Sequence, residues 1–178
     1  MKRSQLEHLI RASADIADVD EIVIIGSQAI LGQFPDAPAE LLVSVEAAVF
    51  PLGHPERSDL IDGSIGEGSP FHATFGYYAR GVDESTAVLP RGWKQWLVPI
   101  RNENKRGVTG LCLELHDLQI AQYVAGRDKD RRFTAVATLA GLAQHETLLR
   151  RLEETELDGS TRSRVQAVIE RDSDGQPS

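Results

Sequence analysis

A small turn at the end of an apolar stretch is the first feature of the sequence that could do chemistry. Residues 21–27 form a short stretch with β-branched side chains that predicts a buried strand ending in Gly26 and Ser27, ahead of a short helix predicted over residues 28–34. Such a turn lets phosphate oxygens approach the backbone, and the start of the helix offers unpaired N–H groups. Gly-Ser turns are also common for purely structural reasons, and both interpretations stay open.

A single carboxylate interrupts the next apolar stretch, which predicts a strand over residues 41–50. Alternate residues of a strand share a face, so Glu46 and Ala48 should point to the same side. The opposite side, expected in the core, has Val45, Ala47 and Val49. Because burying an unpaired carboxylate is costly, Glu46 should lie at an edge, form a salt bridge or bind a ligand.

Basic residues cluster later in the chain, on a predicted helix. Arg127, Lys129, Arg131 and Arg132 fall within six positions and alternate in part with Asp128 and Asp130. Guanidinium and ammonium groups bind phosphates through bidentate and point-charge contacts, which makes Arg127, Lys129 and Asp130 candidate functional residues. A solvated helix surface with ion pairs three and four residues apart would have the same composition.

These residues must be positioned by helices and strands, and the order of the predicted helices and strands indicates an α+β fold. We expect a mixed β-sheet flanked by helices, with a carboxy-terminal helical cap. We expect one domain over residues 1–171 and a disordered tail over residues 172–178. A glycine-rich, flexible stretch is expected over residues 63–70. The predicted helices span residues 4–18, 28–34, 56–65, a turn at 92–98, and most of 116–171. The predicted strands span residues 21–27, 41–50, 75–79, 85–89 and 111–115.

Composition limits the setting and the partners. The 178 residues have a net charge of −8, so the surface as a whole should repel nucleic acid. DNA is not expected as a partner, and RNA would have to bind through the basic cluster at residues 127–132. The single cysteine, Cys112, excludes a disulfide within this chain and fits a reducing cytoplasm. We expect a cytoplasmic location, with neither a signal peptide nor a membrane span.

The turn and the following strand resemble the signature of the nucleotidyltransferase superfamily, which has a polymerase-beta-like fold. In that signature, Gly-Ser follows a strand, and the next strand carries two carboxylates separated by one residue. The resemblance extends to a bacterial family of unknown function related to the abortive-infection and toxin-antitoxin nucleotidyltransferases. The matching stretches cover most of residues 21–133 and are IVIIGSQAILGQFPDAPAELLVSVEA, HPERSDLIDGSIGEGSPFHATFGYYARGV and HDLQIAQYVAGRDKDRRF.

The resemblance implies a nucleotidyltransferase-like core that binds an NTP substrate with Mg²⁺ or Mn²⁺. Such enzymes transfer a nucleotide to an RNA, such as tRNA, or to a protein acceptor, and release pyrophosphate. The implied setting is a toxin-antitoxin or phage-defence system, in which an antitoxin protein would be a partner. Carried over to this sequence, the implied nucleotide-binding residues are Gly26, Ser27 and Arg127, the metal ligand is Glu46, and the catalytic residues are Lys129 and Asp130.

Two positions depart from the pattern of the family. Ala48 stands where the second metal-binding carboxylate is expected, and Gln122 where the family usually has a lysine. If losing a ligand removes about 4 kcal/mol of stabilisation, transfer falls roughly a thousandfold. Ala48 is either natural to a degenerate member that keeps the fold for binding, or a deliberate replacement of the acid. The alternative function is therefore a non-catalytic pseudoenzyme that binds a nucleotide, RNA or a partner protein.

Overall fold

The chain forms two compact units in the computed structural model, which describes residues 1–101 and 107–175. The sheet unit comprises Met1–Thr86 and Leu97–Leu113, and the helical unit comprises Ala87–Trp96 and Glu114–Ser178. The predicted α+β class is confirmed, because a five-stranded mixed sheet occurs together with several helices. The single domain expected over residues 1–171 stays a prediction.

The sheet unit is built on strands in the order β3-β2-β1-β5-β4. The central strand β1 is antiparallel to β2 and parallel to β5, while β3 runs parallel to β2 and β4 antiparallel to β5. The strands are β1 (Glu21–Ile24), β2 (Glu46–Pro51), β3 (Tyr78–Gly81), β4 (Val98–Arg101) and β5 (Thr109–Cys112). Its α-helices are α1 (Arg3–Ala17), α2 (Ser58–Ile65) and α3 (Pro70–Phe75). Short 3-10 helices lie at Ser27–Gly32, Ala39–Leu41, Pro55–Arg57 and Glu84–Thr86.

One face of this sheet is covered by α1 and α2, and two glycines allow the close approach. A Cβ at Gly81 of β3 would overlap the backbone oxygen of Ser58 on α2, and a Cβ at Gly110 of β5 would overlap the side chain of Ile10 on α1. The strand register places alternate residues of all these strands on the same covered face. The fully buried side chains of this layer include Leu6, Leu9, Ile22, Ile24, Ala47, Val49 and Ile61.

The helical unit contains α4 (Leu115–Ala125), α5 (Asp128–Leu139), α6 (His145–Glu153) and α7 (Gly159–Asp174), with a 3-10 helix at Trp93–Trp96. The four α-helices pack on one another around buried apolar residues such as Leu118, Leu148, Val165 and Ile169. Residues 172–174 of the predicted disordered tail belong to α7, and residues 176–178 lie outside the described residues. Within the described part of the chain, no helix has the length and apolar character needed to cross a membrane.

Several predicted boundaries were wrong, and local capping explains part of the difference. The strand predicted over residues 41–50 begins only at Glu46, so Val45 lies outside it and is 47% exposed instead of buried. The strand predicted over residues 85–89 is replaced by the 3-10 helix Glu84–Thr86. The strand predicted over residues 75–79 begins only at Tyr78, because α3, capped by Ser69 accepting from the His72 N–H, continues to Phe75.

Candidate functional site

The predicted turn lies at the end of the central strand and directly beside β2. The Ile25 N–H donates to the Ala48 carbonyl oxygen at 3.0 Å, which extends the antiparallel pairing beyond the end of β1. Gly26 and Ser27 follow, half-buried, at the start of the 3-10 helix Ser27–Gly32. A Cβ at Gly26 would lie 3.2 Å from the Ala48 Cβ, which is tighter than ordinary contact. Gly26 therefore packs directly against Ala48, and a residue with a side chain at position 26 would be crowded there.

Glu46 and Ala48 share one face of β2, as predicted, and both are half-buried. The parallel neighbour β3 aligns Tyr78 with Glu46 and Arg80 with Ala48. The Tyr78 hydroxyl donates to Glu46 Oε2 at 3.1 Å. The sequence left open which group stabilises the Glu46 carboxylate. The structure shows that one of its partners is the Tyr78 phenol on β3.

The surroundings of Tyr78 keep its phenol protonated. Burial, followed by the negative charge of Glu46 and the hydrogen bond to it, raises the pKa of Tyr78 to about 12. The His72 ring lies against the Tyr78 ring with centroids 4.6 Å apart, and His72 Nδ1 accepts from the Gly68 N–H at 3.1 Å. At neutral pH, Tyr78 is therefore a fixed hydrogen-bond donor to Glu46.

Arg80 is a cation on this face of the sheet unit, at the edge strand β3. Its side chain is exposed, and its register partner on β2 is Ala48. No hydrogen bond or ion pair engages the Arg80 guanidinium within residues 1–101 and 107–175. Arg80 and Tyr78 were not among the site residues predicted from the sequence, although the alternation in the segment Tyr77-Tyr78-Ala79-Arg80 was a usable signal that these two share a face.

A divalent cation needs several hard oxygen ligands, so the oxygen atoms on this face decide whether such a cation fits. Glu46 supplies one carboxylate, and Ala48 supplies a methyl group where the resemblance implies a second. Among the residues that the structure describes, no three His, Cys, Asp or Glu side chains form a group that could hold a metal ion. The donor set of this chain therefore does not fit a resident Mg²⁺ ion held by a carboxylate pair.

The other predicted site residues lie in the helical unit, where two of them hold each other. Arg127 Nε lies 2.6 Å from Asp130 Oδ2, and the Arg127 backbone N–H donates to the same oxygen at 3.2 Å. Asp130 is 4% exposed and accepts at the third position of α5, which satisfies an unpaired N–H at the helix start. Arg131 Nε donates to the Gly126 carbonyl oxygen at 2.9 Å, while the side chain of Lys129 is exposed.

A buried ion pair in the helical unit was missed by the sequence analysis. Asp117 on α4 is fully buried, and its Oδ1 lies 2.9 Å from Nε of Arg151 on α6. The alignment is poor, because neither Asp117 oxygen has a hydrogen-bond partner of good geometry among the described residues. Burial raises the pKa of Asp117 to about 7, although the positive charge of Arg151 opposes this and the Glu114 carboxylate adds to it.

The Arg151 guanidinium has further partners in the same unit. It lies over the Trp96 ring, 4.4 Å from the ring centroid, and its Nη1 donates to Glu154 Oε2 at 3.1 Å. Gln122, at the position where the family usually has a lysine, is also buried, and its Oε1 has no hydrogen-bond partner in the described part of the chain. A single acid within the otherwise uncharged segment Leu115–Ala125 was the available signal for Asp117.

Comparison with known proteins adds no relative to this picture. No family model, curated protein or solved structure matches the chain. The membership in the nucleotidyltransferase superfamily therefore stays a prediction, and function has to be argued from the residues described above.

Proposed function

We propose that the sheet unit is a nucleotide-binding core of the nucleotidyltransferase type, in which Ala48 limits nucleotide transfer. One observation carries this proposal. The turn at Gly26 and Ser27 lies against position 48, and position 48 shares a face of β2 with Glu46. The turn and the Glu46 carboxylate therefore both lie next to position 48, where the resemblance implies a second carboxylate.

The proposed roles follow from the chemistry of each group. The backbone of the turn at Gly26 and Ser27 is the part proposed to receive phosphate oxygens of an NTP, and Ser27 adds a hydroxyl. The lack of a side chain at Gly26 lets the turn pack closely against Ala48. Glu46 is the carboxylate proposed to face a Mg²⁺ or Mn²⁺ ion that arrives with the triphosphate. Such an ion would neutralise the charge that develops during phosphoryl-type transfer, with Glu46 as its ligand from this chain. An acid at position 48 would supply the second carboxylate, because residues two apart on a strand share a face.

The acceptor in this proposal is a hydroxyl of RNA, such as tRNA, or of a protein. A toxin-antitoxin or phage-defence setting in the cytoplasm, with an antitoxin partner, belongs to the same proposal and rests on the resemblance alone. In the helical unit, Arg127 and Lys129 stay candidates for contacting phosphates, because both side chains are exposed. Asp130 is buried against Arg127, which supports a structural role at least as well as a catalytic one.

A second function, binding without catalysis, is favoured by the state of Glu46. Its Oε2 accepts from Tyr78, and no second carboxylate faces it from position 48. A pseudoenzyme that uses the turn to recognise a nucleotide, RNA or a protein would not need a second carboxylate beside Glu46.

The decisive experiment restores the acid at position 48. Transfer from labelled NTPs to total tRNA and to the protein itself is measured with Mg²⁺ for the chain as written, Ala48→Asp and Ala48→Asn. We expect Ala48→Asp to raise the rate roughly a thousandfold, as about 4 kcal/mol of recovered stabilisation implies. Ala48→Asn, similar in size but uncharged, should not do so.

The double variant Ala48→Asp/Glu46→Gln is the matched control, because it has one carboxylate on the same face and should return to the low rate. NTP binding is measured by calorimetry beside the transfer assay. If Ala48→Asp is folded and binds NTP but does not transfer a nucleotide, the transferase function is excluded and the pseudoenzyme function stands. Absence of NTP binding by both proteins would overturn the nucleotide-binding proposal.

A further inference from the structure

The exposed arginine of the edge strand has no acid opposite it. Arg80 on β3 is aligned with Ala48 on β2, and side chains aligned on neighbouring strands lie about 5 Å apart at their Cβ atoms. An acid at position 48 would therefore be within reach of the Arg80 guanidinium. With alanine there, the guanidinium is exposed and makes no ion pair with a described residue.

The strand geometry puts Arg80 on the same face as the candidate nucleotide site. Ala79 and Gly81 point to the face covered by α1 and α2, since Gly81 meets Ser58 of α2. Tyr78 and Arg80 alternate with them and point to the opposite face, which they share with Glu46 and Ala48.

Arg80 and two carboxylates, Glu46 and Glu67, lie close enough to Tyr78 to act on it, and neither carboxylate forms an ion pair with Arg80. Oε2 of Glu46 accepts from the Tyr78 hydroxyl instead. Ala48 and Gly26 add only a methyl group and backbone there, so neither residue brings a side chain that could pair with the guanidinium.

We propose that in this chain Arg80 binds a phosphate group of the nucleotide directly, without a divalent cation. This inference rests on the proposed nucleotide-binding function and changes how the ligand's charge is neutralised. A guanidinium offers a planar pair of N–H donors that matches two phosphate oxygens, and it needs no second carboxylate to hold it. With alanine at the position of β2 where the resemblance implies a metal ligand, Arg80 on β3 is a cation available to the same phosphates.

The test measures binding of ATP and of inorganic tripolyphosphate by calorimetry, once in EDTA and once with Mg²⁺. In EDTA we expect the chain as written to bind both ligands, Arg80→Gln to weaken binding at least about tenfold, and Arg80→Lys to weaken it less. Arg101→Gln is the matched control, because Arg101 is an exposed arginine on β4, the opposite edge of the sheet, and its loss should change nothing.

Ala48→Asp adds a comparison with opposite expected signs. In EDTA the new carboxylate should pair with Arg80 and weaken binding, whereas with Mg²⁺ it should strengthen binding. Equal affinities of Arg80→Gln and Arg101→Gln in EDTA would mean that Arg80 is only a solubilising charge at a sheet edge and would overturn the inference. Binding that requires Mg²⁺, together with transfer by Ala48→Asp, would overturn the inference while the proposed function stands.

Discussion

At the scale of single residues, the hydrogen bond between Tyr78 and Glu46 decides how much of the carboxylate is free. The phenol donates to one oxygen, Oε2, and its raised pKa extends the range in which it stays a donor into alkaline pH. Glu46 Oε1 is then the oxygen left for an approaching ligand. In this arrangement Tyr78 is a positioning residue, because it fixes the orientation of the carboxylate and does not itself need to touch the nucleotide.

The coupling between these two residues predicts how Tyr78 titrates. Tyr78 should ionise near pH 12, chiefly because of burial and next because of Glu46. Glu46→Gln removes the charge, so the pKa of Tyr78 should fall, with the part due to burial remaining. The shift is measured by NMR of ring-labelled tyrosine, and Glu40→Gln, which changes an exposed glutamate, is the control. An unchanged Tyr78 titration in Glu46→Gln would show that the two side chains are not coupled.

At the scale of elements, the start of α5 depends on Asp130. Its carboxylate accepts from the Arg127 backbone N–H and contacts the Arg127 guanidinium, while Lys129 is exposed beside it. Asp130→Ala should therefore lower the free energy of unfolding by about 1–2 kcal/mol, and Lys129→Ala should change it by less than about 0.5 kcal/mol. Urea unfolding followed by circular dichroism checks both values. Equal effects of the two variants would contradict the capping role of Asp130.

The elements that periodicity and end signals define were predictable, and those that depend on distant pairing were not. The spacing of Leu6, Leu9 and Ile10 predicted α1, and the apolar run after Glu21 predicted β1. Alternation also predicted that Glu46 and Ala48 share a face. The pairing of β2 with β3 was not predictable, since this parallel pairing joins segments about 30 residues apart and leaves no local signature.

Arg80 and Tyr78 entered the candidate site only through that pairing. The strand β4 was missed for a similar reason, because Val98–Arg101 contains a proline and is stabilised by its antiparallel partner β5 rather than by local preference. Position 45 shows the converse error. Val45 continues the apolar run, but the strand begins one residue later, and side-chain burial follows the strand and not the run.

At the scale of the whole molecule, a net charge of −8 makes a local basic cluster necessary for any RNA acceptor. The structure reduces what the cluster at residues 127–132 can offer. Arg127 contacts Asp130, and Arg131 donates to the Gly126 carbonyl oxygen at the end of α4. Part of the hydrogen-bonding capacity of these two guanidinium groups is thus used to stabilise helix ends. The cluster therefore offers fewer donors to RNA than its composition indicates, and Lys129 and Arg132 are its other exposed basic side chains.

Folding stability is also a property of the whole molecule, and the buried Asp117 should make it depend on pH. The pKa of Asp117 rises from 3.8 to about 7 on folding, so the folded chain keeps a proton that the unfolded chain has released between these values. The Asp117 contribution is fully present below about pH 4 and is lost as pH rises towards 7. Asp117→Asn cannot titrate, although it lacks the ion pair with Arg151 at every pH.

The free energy of unfolding of Asp117→Asn, minus that of the chain as written, should therefore rise with pH and level off above about pH 7. Three pKa units correspond to about 4 kcal/mol, an upper value because neighbouring groups relax. Denaturant unfolding at pH 4, 5.5, 7 and 8 measures the difference, in which the titrations of all other groups cancel to first order. Glu153→Gln, an exposed change on α6, should give a flat difference. If the Asp117→Asn difference is flat as well, Arg151 holds Asp117 ionised, and the ion pair outweighs burial.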